Sequence, residues 1–167
     1  EAVELSPAPC QLEEAANKTL ADLEGAALSK QIRFKQQVDG ERYTILGDAD
    51  RLYHMVLNLV SNAVKYSPEE TAVTVRLEFG EELVLRVQDE GNGIDEEELP
   101  HIFNRYYRGK AGRDSGKSGV GLGLSGVWAI AEAHGGTAVV RNRPEGGAEF
   151  IVRLPKSIRV EPNGSAS

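Results

Sequence analysis

The chain has 167 residues, 40% of them hydrophobic, which suits the core of one ordinary domain. A formal net charge of −7 and a pI near 5.1 exclude nucleic acid or an anionic membrane as the main partner, because those select basic surfaces. Cys10 is the single cysteine, which excludes an intrachain disulfide or a cysteine metal cluster and fits a reducing, cytoplasmic setting.

Residues 1–10 read as an extended leading segment broken by Pro7 and Pro9. From Gln11 to Leu28, apolar residues at Leu12, Ala15, Ala16, Leu20 and Leu23 predict one helix with a buried face. Gln31 to Val38 and Glu41 to Leu46 read as two strands around an Asp39-Gly40 turn. Asp48 is placed to cap a second helix, which carries Leu52, Val56, Leu59, Val60, Ala63 and Val64 as its core stripe and ends at Ser67-Pro68. On another face of that helix Asn58, Asn62, Lys65 and Tyr66 follow one another at helical spacing.

Val73, Val75, Leu77 and Phe79 alternate with polar residues as a half-buried strand does, and Leu83, Leu85 and Val87 repeat the pattern. Asp89 lies in phase with that inward row. A short helix is predicted within Glu96 to Phe103, then a long polar loop from Asn104 to Ser118, of the kind that often acts as a lid. A last helix runs from about Gly121 to the stop at Gly135-Gly136, and Thr137 to Asn142 with Ala148 to Leu154 form a closing hairpin. The domain is thus expected over residues 11–155, with 156–167 as a disordered tail. No stretch reaches the roughly 20 apolar residues of a membrane span. The opening EAVELSPAP is not a signal peptide and lacks an initiator Met, so the chain reads as a piece of a longer protein whose other segments are free to cross a membrane.

Four signatures stand in order: NLVSNAVKYS (58–67), DEGNGI (89–94), IFNRYYRG (102–109) and GVGLGL (119–124). Each is weak alone; in series they supply a metal ligand, a base-reading carboxylate, a lid and a phosphate cradle. A buried carboxylate at Asp89 needs a donor, and the exocyclic amine of adenine is one; Gly91 and Gly93 leave room for a base. The plain alternative is a strand-ending Asp that caps a glycine turn. Asn62 offers a neutral oxygen suited to magnesium, with Asn58 one turn earlier to support that ligand or hold a water and Lys65 one turn later for phosphate charge; the alternative is an exposed polar helix face. Tyr66 fits either over a base or in the core. Gly119, Gly121 and Gly123 open the last helix, where free N–H groups and the helix dipole favour phosphate; the alternative is a hinge or a close helix-to-sheet contact. Arg105, Arg108, Lys110, Arg113 and Lys117 make the one basic cluster, in the lid.

AGRDSGKS (111–118) nearly matches a P-loop, but polar, basic residues precede it where a buried strand is required. His54, His101 and His134 have no ligand spacing to one another and read as surface or core-edge residues.

The four signatures closely resemble the N, G1, F and G2 boxes of the catalytic ATP-binding domain of sensor histidine kinases, in the superfamily that includes DNA gyrase, Hsp90 and MutL. The resemblance implies an α/β fold, a two-layer sandwich (the Bergerat ATP-binding fold) with a mixed sheet of about five strands and three main helices on one face. It implies ATP and Mg2+ as ligands, with Asn62 on the metal and Asp89 on adenine beside Gly91, Gly93 and Ile94. It further places Asn58, Lys65 and Tyr66 at the nucleotide, Phe103 as lid anchor, Arg105 or Arg108 near the phosphates, and Gly119, Gly121, Leu122 and Gly123 at the lid's far end. Relatives that hydrolyse ATP usually carry a Glu where this chain has Asn58, so the amide points to transfer of phosphate onto a protein side chain. The phospho-accepting histidine and its dimerising helical hairpin are absent from this sequence. The implied partners are therefore that dimerisation domain and, indirectly, a response regulator, with this chain a monomer and its parent free to be anchored in the inner membrane. An anti-sigma-factor-type serine kinase and a non-catalytic nucleotide sensor share the same boxes.

Overall fold

The computed structural model describes residues 3–104 and 120–161. In chain order they form β1 (Ala8–Cys10), α1 (Leu12–Asp22), α2 (Glu24–Ser29), β2 (Arg33–Gly40), β3 (Ile45–Gly47), α3 (Ala49–Tyr66), β4 (Ala72–Phe79), β5 (Leu83–Gln88), α4 (Val120–Ala133), β6 (Thr137–Asn142) and β7 (Ala148–Leu154). Single 3-10 turns cover Leu99–His101 and Lys156–Ile158.

Five strands make a mixed sheet in the order β2-β4-β5-β7-β6, with β2 parallel to β4 and every other pair antiparallel. The period-2 pattern sets the register: Val75 faces Val87 and Leu77 faces Leu85 across β4 and β5. The apolar stripe of α3 lies on this sheet, and Leu52, Met55, Val56, Leu59, Val60, Ala63 and Val64 are all buried. With α1 and α4 on either side of α3, the result is the expected two-layer α/β sandwich. Asp48 caps α3 as predicted, its Oδ1 accepting the Arg51 N–H at 3.1 Å.

Three expectations need correction. The predicted first helix is two, because Leu23 leaves helical geometry (ψ 4°). Gly25, a poor helix former, follows the bend, which turns Ala27 into the core and leaves Leu28 exposed. The Asp39-Gly40 hairpin does not form either: β2 pairs in parallel with β4, and β3 instead pairs with β1, Pro9 facing Leu46. Pairing across more than thirty positions carries no local turn signature, and an Asp-Gly pair marks a turn without naming the strand beyond it. Lastly, residues 156–160 belong to the fold. Ile158 packs against the core, Arg159 bridges to Ile45 and stacks on the Tyr43 ring (4.3 Å), and the Val160 N–H reaches the Thr44 carbonyl at 2.8 Å.

The sheet face away from the helices is covered by its own charges. Asp39 on β2, Arg76 and Glu78 on β4, Arg86 on β5, Glu149 on β7 and Arg141 on β6 form a continuous ion-pair ladder across all five strands, at N–O distances of 2.5–3.5 Å. Glu149 sits deepest, 1% exposed. Burial opposes its charge, but hydrogen bonds from Gln88 and Arg141, with the charges of Arg141 and Arg86, outweigh it and hold its carboxyl below the ordinary value of 4.5. Asp48 is likewise held below 3.8 by the Ser6 and Arg51 N–H groups, and Glu13 below 4.5 by Arg42. Because folding lowers these pKa values, their contribution is complete above the unfolded-state values and is lost as pH falls through the folded ones. The urea midpoint is therefore expected to fall steadily as pH is lowered below 4.5, and Glu149→Gln to flatten that slope. A midpoint independent of pH in that range would refute the ladder's contribution.

Candidate functional site

The buried stripe of α3 fixes which way its other face looks. Asn58, Asn62, Lys65 and Tyr66 are all partly buried, on the side toward α4 and the segment after β5. Asn58 Nδ2 donates to the Gly123 carbonyl at 3.3 Å, which ties α3 to the first turn of α4. Asn62 Oδ1 is buried with no hydrogen-bond partner among the described residues. Leaving a buried acceptor unpaired costs about 1–3 kcal/mol, so its position calls for an electrophile. A neutral, hard oxygen fits a magnesium ion, and the donor is of the right chemistry. Lys65 Nζ lies 5.6 Å from the Tyr66 ring centre. Lys30, which the sequence reading passed over, caps the carbonyl end of this helix: its Nζ donates to the carbonyls of Val64 (2.8 Å) and Lys65 (3.2 Å).

Asp89 follows directly on β5. Its Oδ1 accepts two backbone hydrogen bonds, from Gly91 (2.9 Å) and Ala148 (3.0 Å). The turn-capping alternative is thus realised by one oxygen, while Oδ2 receives no hydrogen bond from the described residues. The carboxylate is held in one orientation with an acceptor to spare. Glu90 secures the same turn to the sheet, accepting the Ala72 N–H at 2.9 Å. Gly93 has φ +79°, and a Cβ there would lie 2.7 Å from Asn142 Oδ1, so both conformation and space demand glycine. Ile94 packs against the core from beyond it.

Phe103 meets Phe150 of β7 edge to face, 6.0 Å between ring centres at 84°, which fastens the start of the predicted lid to the sheet. Gly121, Leu122 and Gly123 fall in the first turn of α4, where N–H groups lack intrahelical acceptors. Arg105, Arg108 and Gly119, with the rest of the lid, lie outside the described residues. Among the described residues no cluster of His, Cys, Asp and Glu could hold a metal ion.

Of the three histidines, His134 is buried rather than at the core edge. Nδ1 lies 2.9 Å from the Ile130 carbonyl and Nε2 accepts the Asp48 N–H at 3.1 Å, joining the end of α4 to the start of α3. His54 and His101 are exposed.

A family model described as histidine kinase-, DNA gyrase B-, and HSP90-like ATPase matches residues 47–158. The chain belongs to this family.

Within the family its relatives include a histidine-protein kinase and sensor proteins. The histidine-protein kinase AfsQ2 of Streptomyces coelicolor is 43% identical over 109 residues, 65% of this chain and 20% of that protein. The sensor protein KdpD of Clostridium acetobutylicum is 33% identical over 130 residues, 77% of this chain and 14% of that protein. The chain thus spans a fifth or less of the length of these two relatives. Among solved structures, full-length ShkA in complex with AMPPNP aligns with a TM-score of 0.80 at 30% identity, over 93% of this chain and 32% of its own. The mycobacterial sensor histidine kinase MprB aligns at 0.76 and 28%, over 89% of this chain and 97% of that chain. Sequence and fold agree on the catalytic ATP-binding domain of a sensor histidine kinase. No helix among the described residues is long and apolar enough to cross a membrane.

Proposed function

We propose that this domain binds Mg-ATP and transfers its γ-phosphate to a histidine on a dimerisation domain supplied by the parent protein, on the cytoplasmic side, for relay to a response regulator. The observation that carries the reading is the Asp89 carboxylate, saturated at Oδ1 and, among the described residues, open at Oδ2. An acceptor held in this way suits a donor such as the adenine amine. Asn62 would hold magnesium through Oδ1, and the ion, when bound, would neutralise phosphate charge. Lys65 stands one helical turn from Asn62, within reach of the same phosphates, and Gly121, Leu122 and Gly123 present their N–H groups to them. Gly119, Arg105 and Arg108 complete the cradle in this reading.

The chain's own contribution to chemistry is positioning. Asn58 is an amide tied to Gly123, and an amide cannot take a proton from water. Hydrolysis is thereby left unassisted while the acceptor imidazole attacks the γ-phosphorus and ADP departs. ShkA bound to AMPPNP supports a nucleotide in this fold.

The test combines this chain, γ-labelled ATP and a histidine-bearing dimerisation hairpin from a sensor kinase. The expected product carries phosphate that survives alkali and is lost in acid, and none forms without the hairpin. Acid-stable label would assign a serine kinase instead, and tight ATP binding without transfer would assign a nucleotide sensor.

A further inference from the structure

The turn that carries Asp89 is held at both ends by two adjacent residues of the β6–β7 hairpin. At one end, Arg143 Nη1 donates to the Asp89 carbonyl at 2.7 Å. At the other, Asn142 makes a two-way bond with the Ile94 backbone: Oδ1 accepts the Ile94 N–H and Nδ2 donates to the Ile94 carbonyl, both at 2.7 Å. The hairpin closes on Asp89 in two further ways. Ala148 exchanges two hydrogen bonds with it, its N–H donating to the side-chain Oδ1 and its carbonyl accepting from the Asp89 N–H, both at 3.0 Å. Gly147 passes so near that a Cβ would stand 2.0 Å from the Asp89 carbonyl oxygen.

These hydrogen bonds come from residues 48 to 59 positions away from the turn they hold, farther than any local capping device reaches. Arg143 is itself fixed: its side chain is 16% exposed and Nη2 lies 3.3 Å from Glu145 Oε2. An exposed loop residue gains little from such an arrangement, whereas a carboxylate that must meet a base at one angle gains its orientation from it.

We propose that Asn142 and Arg143 are positioning residues for adenine recognition, which clamp residues 89–94 so that Asp89 Oδ2 faces the exocyclic amine. This rests on the nucleotide reading given above. Neither residue touches the base. Each acts through the backbone of the turn, so its loss lets the carboxylate wander and costs adenine more than it costs a purine lacking that amine.

The experiment titrates ATP and GTP calorimetrically into the full chain and into Asn142→Ala, Arg143→Ala, Arg143→Lys and Asp89→Asn, with thermal melts to establish folding. ATP affinity is expected to fall about tenfold in Asn142→Ala, the scale on which a group supporting a binding side chain acts, with GTP affinity little changed. Arg143→Ala should narrow the ATP-to-GTP ratio in the same direction, and Arg143→Lys, which keeps a donor for the Asp89 carbonyl, should recover most of it. A purely structural role would lower the competent fraction for both nucleotides and leave their ratio alone. The proposal is overturned if both alanine variants keep the wild-type ratio while Asp89→Asn abolishes it. If the wild-type chain binds no ATP, the nucleotide reading fails first and the clamp fails with it. Should Asn142→Ala not fold, the Arg143 pair decides alone.

Discussion

Asp89→Asn is expected to weaken ATP binding by more than about a hundredfold while leaving the melting temperature nearly unchanged. A hydrogen bond to a charged acceptor contributes about 1.5–3 kcal/mol, which already corresponds to a loss of roughly one to two orders of magnitude. Geometry then adds to it. The Gly91 and Ala148 N–H groups both need an acceptor, so the new amide must turn its oxygen to them. Its NH2 is then left facing the adenine amine, donor against donor. Because those two backbone bonds survive, stability does not fall. Asp89→Ala should differ, since it orphans both N–H groups and costs stability as well. Calorimetric titration with a thermal melt separates the cases, and undiminished ATP binding by Asp89→Asn would remove adenine recognition from this residue.

Asn62→Ala is the second large effect, and its signature is an unusual pairing of outcomes. Phosphoryl transfer and the magnesium-dependent part of ATP affinity are expected to fall by at least about a hundredfold, since a metal ligand on the phosphates contributes several kcal/mol. Stability, however, should hold or rise. The Asn62 carbonyl oxygen is buried without a partner among the described residues, so removing it relieves a desolvation cost instead of breaking a bond. Most buried polar residues behave in the opposite way. A destabilised Asn62→Ala that still binds nucleotide with wild-type magnesium dependence would show that the amide serves the fold.

What the sequence made legible follows from how far each signal travels along the chain. The α3 stripe and the alternation in β4 and β5 are local patterns, and Leu59, Leu77 and Leu85 went where period alone sends them. Asn62 and Asp89 could be singled out as candidates for the same reason, because each sits in a compact motif on or beside such an element. Pairing was not. Nothing in Ala8–Cys10 announces Ile45–Gly47, and the Asp39-Gly40 turn looked like half of a hairpin. The Asn142 and Arg143 contacts were invisible on the same grounds, since they act through backbone atoms remote in sequence. The trace that could have prompted a search is the Gly146-Gly147 pair, both at positive φ. Two glycines closing a hairpin suggest close approach as much as a turn, and here Gly147 lies against Asp89.

The ladder on the open face of the sheet also governs how one copy meets another. Its three arginines and three carboxylates balance, so the whole surplus of seven negative charges is carried elsewhere on the molecule. A second copy approaching by the ladder finds its six charges already matched, with little to gain from new pairs and a desolvation cost for burying them. The net charge of −7 makes two copies repel on average, an effect that extends about 10 Å at 0.1 M salt. The paired charges thus give a second copy little reason to stack on the open face of the sheet.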